Sequence, residues 1–330
     1  MQIVRYAADA GAGGARGAGV AVWTGGELVP LPVPAIADLL ALPLDRMRDL
    51  VEAAGTRAAS AGASGSAAST ARPFGSATSI RLLPPIDGLT EVWASGVTYQ
   101  RSSAARQEES RDADVYARVY EAERPELFFK SPAWRVCGPD EPIGIRPDSP
   151  VNVPEPELAL VCNATGQIVG ATICNDVSSR SIEGENPLYL PQAKVYTGAC
   201  ALGPGIVPAW RLADLTDLPI TVSVRRGGGI AWHGQTSTAR LHRELTGLVA
   251  YLFRHAEFPH GVVLSTGTGL VPELDFTLEP GDEVQIDITG IGSLTNTVRP
   301  ATADWFGWLT PVPDRSPESP AAVRVRADTR

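Results

Sequence analysis

The chain has 330 residues, 44% of them hydrophobic, with a formal net charge of −9 and a pI near 5.1. That is enough for two modest domains, or for a catalytic domain with an N-terminal extension, around a sizeable core. The acidic balance argues against nucleic-acid binding, which needs clustered Lys and Arg, although a bound divalent cation can locally reverse it for an acidic small molecule.

In chain order, Gln2 to Tyr6 and Gly19 to Thr24 read as strands, and Ala37 to Ala54 as a helix with apolar spacing at Leu39, Leu40, Leu44 and Met47. Gly55 to Gly75 is almost wholly Ala, Gly, Ser and Thr, a composition that predicts a loop or connector. This division gives a small N-terminal domain over 1–80, whose default role is packing or dimerisation. From Ile80 short β-prone runs punctuated by Gly and Pro predict a closed or sandwiched sheet: 91–97, 127–130, 158–162, 168–175, 220–225, 261–266 and 283–288. Two helices are expected within it, a charged one over Ser103–Ala122 with Val115 and Val119 in its apolar stripe, and Ser237–His255. The catalytic domain spans 81–312, and 313–330 reads as a flexible tail. Cys137, Cys162, Cys174 and Cys200 form no CxxC pair and read as small buried hydrophobes in a reducing cytosol. With no apolar run near 18 residues and no leader pattern, a cytoplasmic protein without a membrane partner is expected.

The most informative stretch is Pro154-Glu155-Pro156-Glu157, followed by Leu-Ala-Leu-Val. On a strand, residues i and i+2 share a face, so Glu155 and Glu157 project side by side, and two like charges that close need a proton or a cation between them. Pro156 has no N–H to donate and predicts an edge or irregular strand. Asp176 ends the apolar run 168–174 and begins a polar segment. Three carboxylates without His or Cys suit a hard ion, Mg²⁺ or Mn²⁺. Taken alone, the Glu-x-Glu pair reads more readily as two surface glutamates on an edge strand.

The surrounding motifs decide between these readings. Glu155-Pro156-Glu157 and Asn175-Asp176-Val177-Ser178-Ser179-Arg180 together resemble the metal-binding signature of the fumarylacetoacetate hydrolase superfamily. Gly96-Val97-Thr98-Tyr99, Phe128-Phe129-Lys130, Ser265-Thr266-Gly267-Thr268-Gly269, 280–284 and 291–296 resemble it in the same order. The resemblance implies a mostly β (α+β) fold, a mixed sandwich or barrel-like roll, with Glu155, Glu157 and Asp176 as metal ligands in a central pocket. It also implies a homodimer or homotetramer. Arg180 to Lys194 and Pro125 to Lys130 are similar to the 2-keto-3-deoxy-D-arabinonate dehydratase branch. That implies a metal-dependent hydro-lyase converting a 2-keto-3-deoxypentonate to a 2,5-dioxo acid, with the metal stabilising an enolate.

Hydrolases of the superfamily carry a histidine where this chain has Ser102, and the histidines at 233, 242, 255 and 260 read as structural or exposed. Glu126 is the candidate acid/base, and Lys194 the candidate for the substrate's carboxylate or keto oxygen. Arginine greatly outnumbers lysine, which makes Lys130 and Lys194 stand out. Lys130, Thr98, Thr266, Thr268 and Arg180 are the remaining substrate-binding candidates. Glu108 and Glu109 lie where the family has a mobile lid, and a solvated face is their better reading. Ser181 replaces a common acidic residue, which leaves room for another 2-keto acid in a specialised pathway. The alternatives are an acylpyruvate-type hydrolase or tautomerase using the same metal, and a non-catalytic binding or scaffold protein.

Overall fold

The computed structural model describes residues 1–8, 17–64, 80–109, 113–273, 275–302 and 305. At the N-terminus β1 (Gln2–Ala8), β2 (Gly17–Thr24) and β3 (Glu27–Pro30) form an antiparallel meander. The helix expected over 37–54 is two, α1 (Ile36–Leu40) and α2 (Leu44–Ser64), separated by Pro43, which has no N–H to continue α1. Leu39, Leu40 and Met47 are fully buried. The connector expected from Gly55 onward is helical as far as Ser64. Alanine is the best helix former, and Ala54 and Ala58 pack into the core, so small side chains here serve close approach. The rest of that stretch, and the expected tail, lie outside the described residues.

β4 (Ile80–Leu83) pairs with β1, and β5 (Glu91–Gly96) leads into α3 (Gln100–Glu109) and α4 (Ala113–Glu121). The single charged helix expected there is therefore two, and it is Tyr116 of its apolar stripe that is buried. β6 (Glu126–Pro132) returns antiparallel to β5. Then come β7 (Ile143–Ile145), β8 (Asn152–Val153), β9 (Pro156–Cys162), β10 (Ile168–Asp176), β11 (Ser178–Ser179), α5 (Arg180–Glu185) and α6 (Leu190–Lys194). β12 (Cys200–Pro208), β13 (Pro219–Arg226), β14 (Gly229–Ser237), α7 (Leu245–Leu252), β15 (Val262–Ser265), β16 (Glu283–Ile288) and β17 (Gly292–Pro300) complete the order.

The large sheet runs β3-β2-β1-β12-β10-β9-β15-β5-β6, with β4 beside β1; a second runs β14-β13-β16-β17-β7. Leu158, Leu160 and Ile173 of the first pack with Ile220, Val222, Ile286 and Leu294 of the second. The opposite face of the large sheet, with Ala159, Val161 and Cys174, packs on α1 and α2 through Leu39, Leu40, Met47 and Val51. β9 is thus covered on both faces, which is why its Leu-Ala-Leu-Val run does not alternate with polar residues. The described strands close no barrel; they form the sandwich-like roll. The four cysteines are buried and unbridged. No helix among the described residues is long and apolar enough to cross a membrane.

Two further expectations need correction. β9 is not an edge strand: it lies between β10 and β15, and Pro156 is tolerated because it is the strand's first residue. The helix expected over 237–255 is confined to Leu245–Leu252. Ser237 ends β14, Leu241 bridges to Tyr99, and the His242 N–H donates to Thr98 O at 2.9 Å, so tertiary backbone bonds displace the local helix.

Candidate metal centre

Glu155, Glu157 and Asp176 are each at most 2% exposed, and one carboxylate oxygen from each lies within 4.8 Å of the others. The β9–β10 register makes this happen. It sets Cys174 opposite Glu157 and Asn175 opposite Pro156, and the Asp176 N–H donates to Glu155 O at 3.0 Å. Glu157 Oε2 also accepts from Ser265 Oγ at 2.5 Å and from the Gly267 N–H at 2.8 Å. Gly267 has φ 91°, and a Cβ there would lie 2.0 Å from Thr98 Oγ1, so only glycine can bring that N–H to the carboxylate.

The three candidate threonines fasten this loop. Thr98 donates to Thr266 O at 2.7 Å, Thr266 to Leu158 O at 2.8 Å and Thr268 to Pro156 O at 3.0 Å. Thr268 lines the cavity described below; Thr98 and Thr266 stand behind it.

Lys130 and Lys194 are the chain's two lysines, and both are buried at the carboxylates. Lys194 Nζ donates to Glu155 Oε2 at 2.6 Å, Asp176 Oδ2 at 3.1 Å and Ser178 Oγ at 2.6 Å. Lys130 Nζ pairs with Asp176 Oδ1 and donates to Val177 O at 3.3 Å and Lys194 O at 2.5 Å. Two ammonium groups do not balance three carboxylates. Burial, then the charges of Asp176 and Glu155, push Glu157 from 4.5 up to about 8, against the lowering by Lys194 and Ser265. A donor set of buried oxygens short of positive charge fits a hard divalent cation.

A pH dependence follows. The folded, metal-free protein keeps a proton on Glu157 that the unfolded chain releases near 4.5, so this contribution to stability is lost as pH rises from about 4.5 through about 8. Cation binding below pH 8 must displace that proton. Calorimetry in buffers of differing ionisation enthalpy should record about one proton released per Mg²⁺ at pH 7 and close to none at pH 9.

The carboxylates face a small cavity of about 20 Å³, whose other walls include Ser102, Glu126, Phe128, Glu183 and Leu190. Glu126 opens β6 opposite Gly96, and a Cβ on Gly96 would lie 2.0 Å from Glu126 Oε2. The clash is with the end of a flexible side chain, so Gly96→Ala should swing the Glu126 carboxylate aside while leaving the strand in place. Turnover is expected to fall about 10²-fold, as misplaced reacting groups do, with the melting temperature nearly unchanged. Val97, also on the wall, has φ 53°, a costly conformation for a β-branched residue and one that marks built-in strain.

Ser102 occupies the cavity wall and is tied to Tyr99, donating to its O at 2.8 Å. Among the described residues no histidine lines this cavity; His242 stacks on Tyr120 at 4.3 Å. Arg180 is buried at the start of α5 and does not line it. Glu183, on the same helix, is buried on the wall, and the sequence reading gave it no role. Its signal was only its place three residues after Arg180 on the segment leaving Asp176. Ser181 Oγ lies 2.7 Å from Ser149 Oγ, within a serine cluster. The side chains of Glu108 and Glu109 lie outside the described residues.

A mixed β roll holding a buried, all-oxygen centre for a hard divalent cation defines the class. Residues 91–299 match the family described as fumarylacetoacetate (FAA) hydrolase C-terminal, and the chain belongs to that family. It is 50% identical over 214 residues to the "Probable 2-keto-3-deoxyxylonate dehydratase" of Haloferax volcanii, covering 65% of this chain and 73% of the relative. It is 42% identical over 224 residues to the "2-dehydro-3-deoxy-D-arabinonate dehydratase" of Saccharolobus solfataricus, covering 67% and 75%. Among solved structures it resembles "2-keto-3-deoxy-D-arabinonate dehydratase complexed with magnesium and 2,5-dioxopentanoate". That match has a TM-score of 0.70 at 31% identity and covers 91% of this chain and 99% of that one.

Proposed function

We propose that the protein is a Mg²⁺-dependent dehydratase of a 2-keto-3-deoxy sugar acid, giving a 2,5-dioxo acid. The observation that carries this is the buried Glu155, Glu157 and Asp176 cluster facing a cavity that holds Glu126 and Lys194. Glu155, Glu157 and Asp176 would hold the cation, which supplies Lewis-acid polarisation to the keto and carboxylate oxygens of the substrate. The Lys194 ammonium faces the same end of the cavity and neutralises charge that develops as the C3 proton leaves. Glu126, on the wall of the same cavity, takes the C3 proton and returns one to the C4 oxygen as water departs. Loss of C3–H and C4–OH forms the double bond, and tautomerisation moves it to release the C5 aldehyde.

Thr98 and Thr266 fasten the loop behind the wall, Thr268 reaches its surface, and Arg180 is buried at the start of α5. Ser102, where hydrolases of the family have a histidine, leaves the cavity without that water-activating base. A cytoplasmic homodimer or homotetramer, an N-terminal unit over 1–80 and a catalytic unit over 81–312 belong to the same reading.

The test is a substrate panel with Mg²⁺-replete protein, following aldehyde formation. 2-Keto-3-deoxypentonates should be turned over, and acylpyruvates should not. Turnover of acylpyruvates with the sugar acids untouched would replace the dehydratase by the hydrolase or tautomerase reading.

A further inference from the structure

The sequence puts Lys130 among the substrate-binding candidates; its bonding describes something else. An ammonium group has three N–H donors. Lys130 donates to Val177 O and Lys194 O and is ion-paired with Asp176 Oδ1, and it does not line the cavity. We infer that Lys130 is a positioning residue, a bracket that fixes the cation ligand Asp176 and the backbone of the substrate-facing Lys194 to each other. The inference extends the proposed dehydratase reading, on which the substrate-facing role of Lys194 rests.

Three features carry it. Lys130 is 1% exposed, and burying an ammonium is costly unless it is paired and hydrogen-bonded, as it is here. Its two carbonyl acceptors and its paired carboxylate oxygen converge from the turn after β10, from α6 and from β10 itself. Lys and Arg total 28 in this chain and only Lys130 and Lys194 are lysine, so an ammonium stands where arginine is otherwise used. The planar guanidinium fork suits flat, bidentate partners, whereas three converging oxygens require a compact, rotating donor. The bracket has a consequence for function. Lys194 Nζ bonds the far oxygen of Asp176 while Lys130 holds the near one, so the carboxylate is clamped from both sides by groups that are themselves linked. A shift at Asp176 on cation binding therefore reaches both ammonium groups together.

Having two lysines makes the test direct. Protein grown on lysine ¹³C-labelled at Cε should show two lysine ¹³C–¹H signals, assigned by substitution. On Mg²⁺ titration both should move with one midpoint. In Lys130→Met the remaining Lys194 signal should respond only at Mg²⁺ about tenfold higher or more, the size of effect seen when a ligand loses its outer partner. In Lys130→Ala, propylammonium replaces the missing Cγ-to-Nζ segment and should restore the midpoint, a rescue that a packing role would not show. A wild-type Lys130 signal blind to Mg²⁺, a Lys130→Met variant with the wild-type midpoint, or a Lys130→Ala variant that propylammonium leaves unchanged would each overturn the bracket. If Lys130→Met does not fold, the wild-type titration and the propylammonium experiment still decide. None of these readouts uses a substrate, so failure of the dehydratase reading would show separately, as absent turnover with the lysine titrations intact.

Discussion

Asp176→Asn is expected to lower turnover by about 10³-fold or more, and Mg²⁺ affinity by at least about 10²-fold. Asparagine keeps the shape and volume of aspartate, so the end of β10 should still form and the Asp176 backbone N–H should still reach Glu155 O. What changes is charge. Asp176 Oδ1 pairs with Lys130 and Oδ2 accepts from Lys194 at 3.1 Å, so the amide would turn an NH₂ donor towards one of two ammonium groups. A proposed cation ligand is removed as well. Loss of one partner that acts on developing charge costs roughly 10²–10³ in rate, and here two such effects coincide. Calorimetric Mg²⁺ binding alongside turnover checks it. An Asp176→Asn variant that binds Mg²⁺ within threefold of the wild type would remove Asp176 from the centre.

Lys194→Met is expected to lower turnover by about 10²–10⁴-fold, the range for groups that handle charge or protons during reaction. Methionine is unbranched and fills a similar space, so packing near Ala193 and Phe128 is largely kept. The ammonium it deletes donates to Glu155, Asp176 and Ser178, and leaving buried carboxylates without it should destabilise the metal-free protein by about 3–5 kcal/mol. Because Lys194 lowers the Glu157 pKa, its loss pushes that group further up, and the proton that Mg²⁺ must displace persists to higher pH. The Mg²⁺ affinity profile should therefore shift to higher pH. Thermal melts with and without Mg²⁺ across pH 6–9 record both effects; a profile unchanged from wild type would mean that Lys194 is not coupled to Glu157.

Much of the centre was legible because its chemistry sits in short local patterns. Glu155 and Glu157 share a strand face by the period of two, and Asp176 follows from the apolar run that ends at it. The apolar run of β9 and the β-branched runs of β13 and β16 were visible for the same reason. β12, β14 and β17 were not, and glycines explain two of them: Gly205 in β12 is required because a Cβ would lie 2.8 Å from Val4 Cγ1 where β1 crosses, while Gly229 and Gly234 weaken the strand signal of β14. The interior position of β9 depends on β15, about a hundred residues away, and no local pattern encodes that pairing. The helix through Ala58 was missed because its Ala and Gly content resembles a linker until the buried face it packs against is known. Lys130 looked like a substrate contact from its motif, and only the convergence of two distant carbonyls and a carboxylate on its ammonium shows how it is used.

The central claim is cation-dependent dehydration at Glu155, Glu157 and Asp176. The most direct measurement is the initial rate of 2,5-dioxo acid formation from a 2-keto-3-deoxypentonate by protein stripped with a chelator and then titrated with Mg²⁺. No product above background is expected in the stripped protein, and activity should return saturably as Mg²⁺ binds. Full activity after stripping, or no product at saturating Mg²⁺, would contradict that claim.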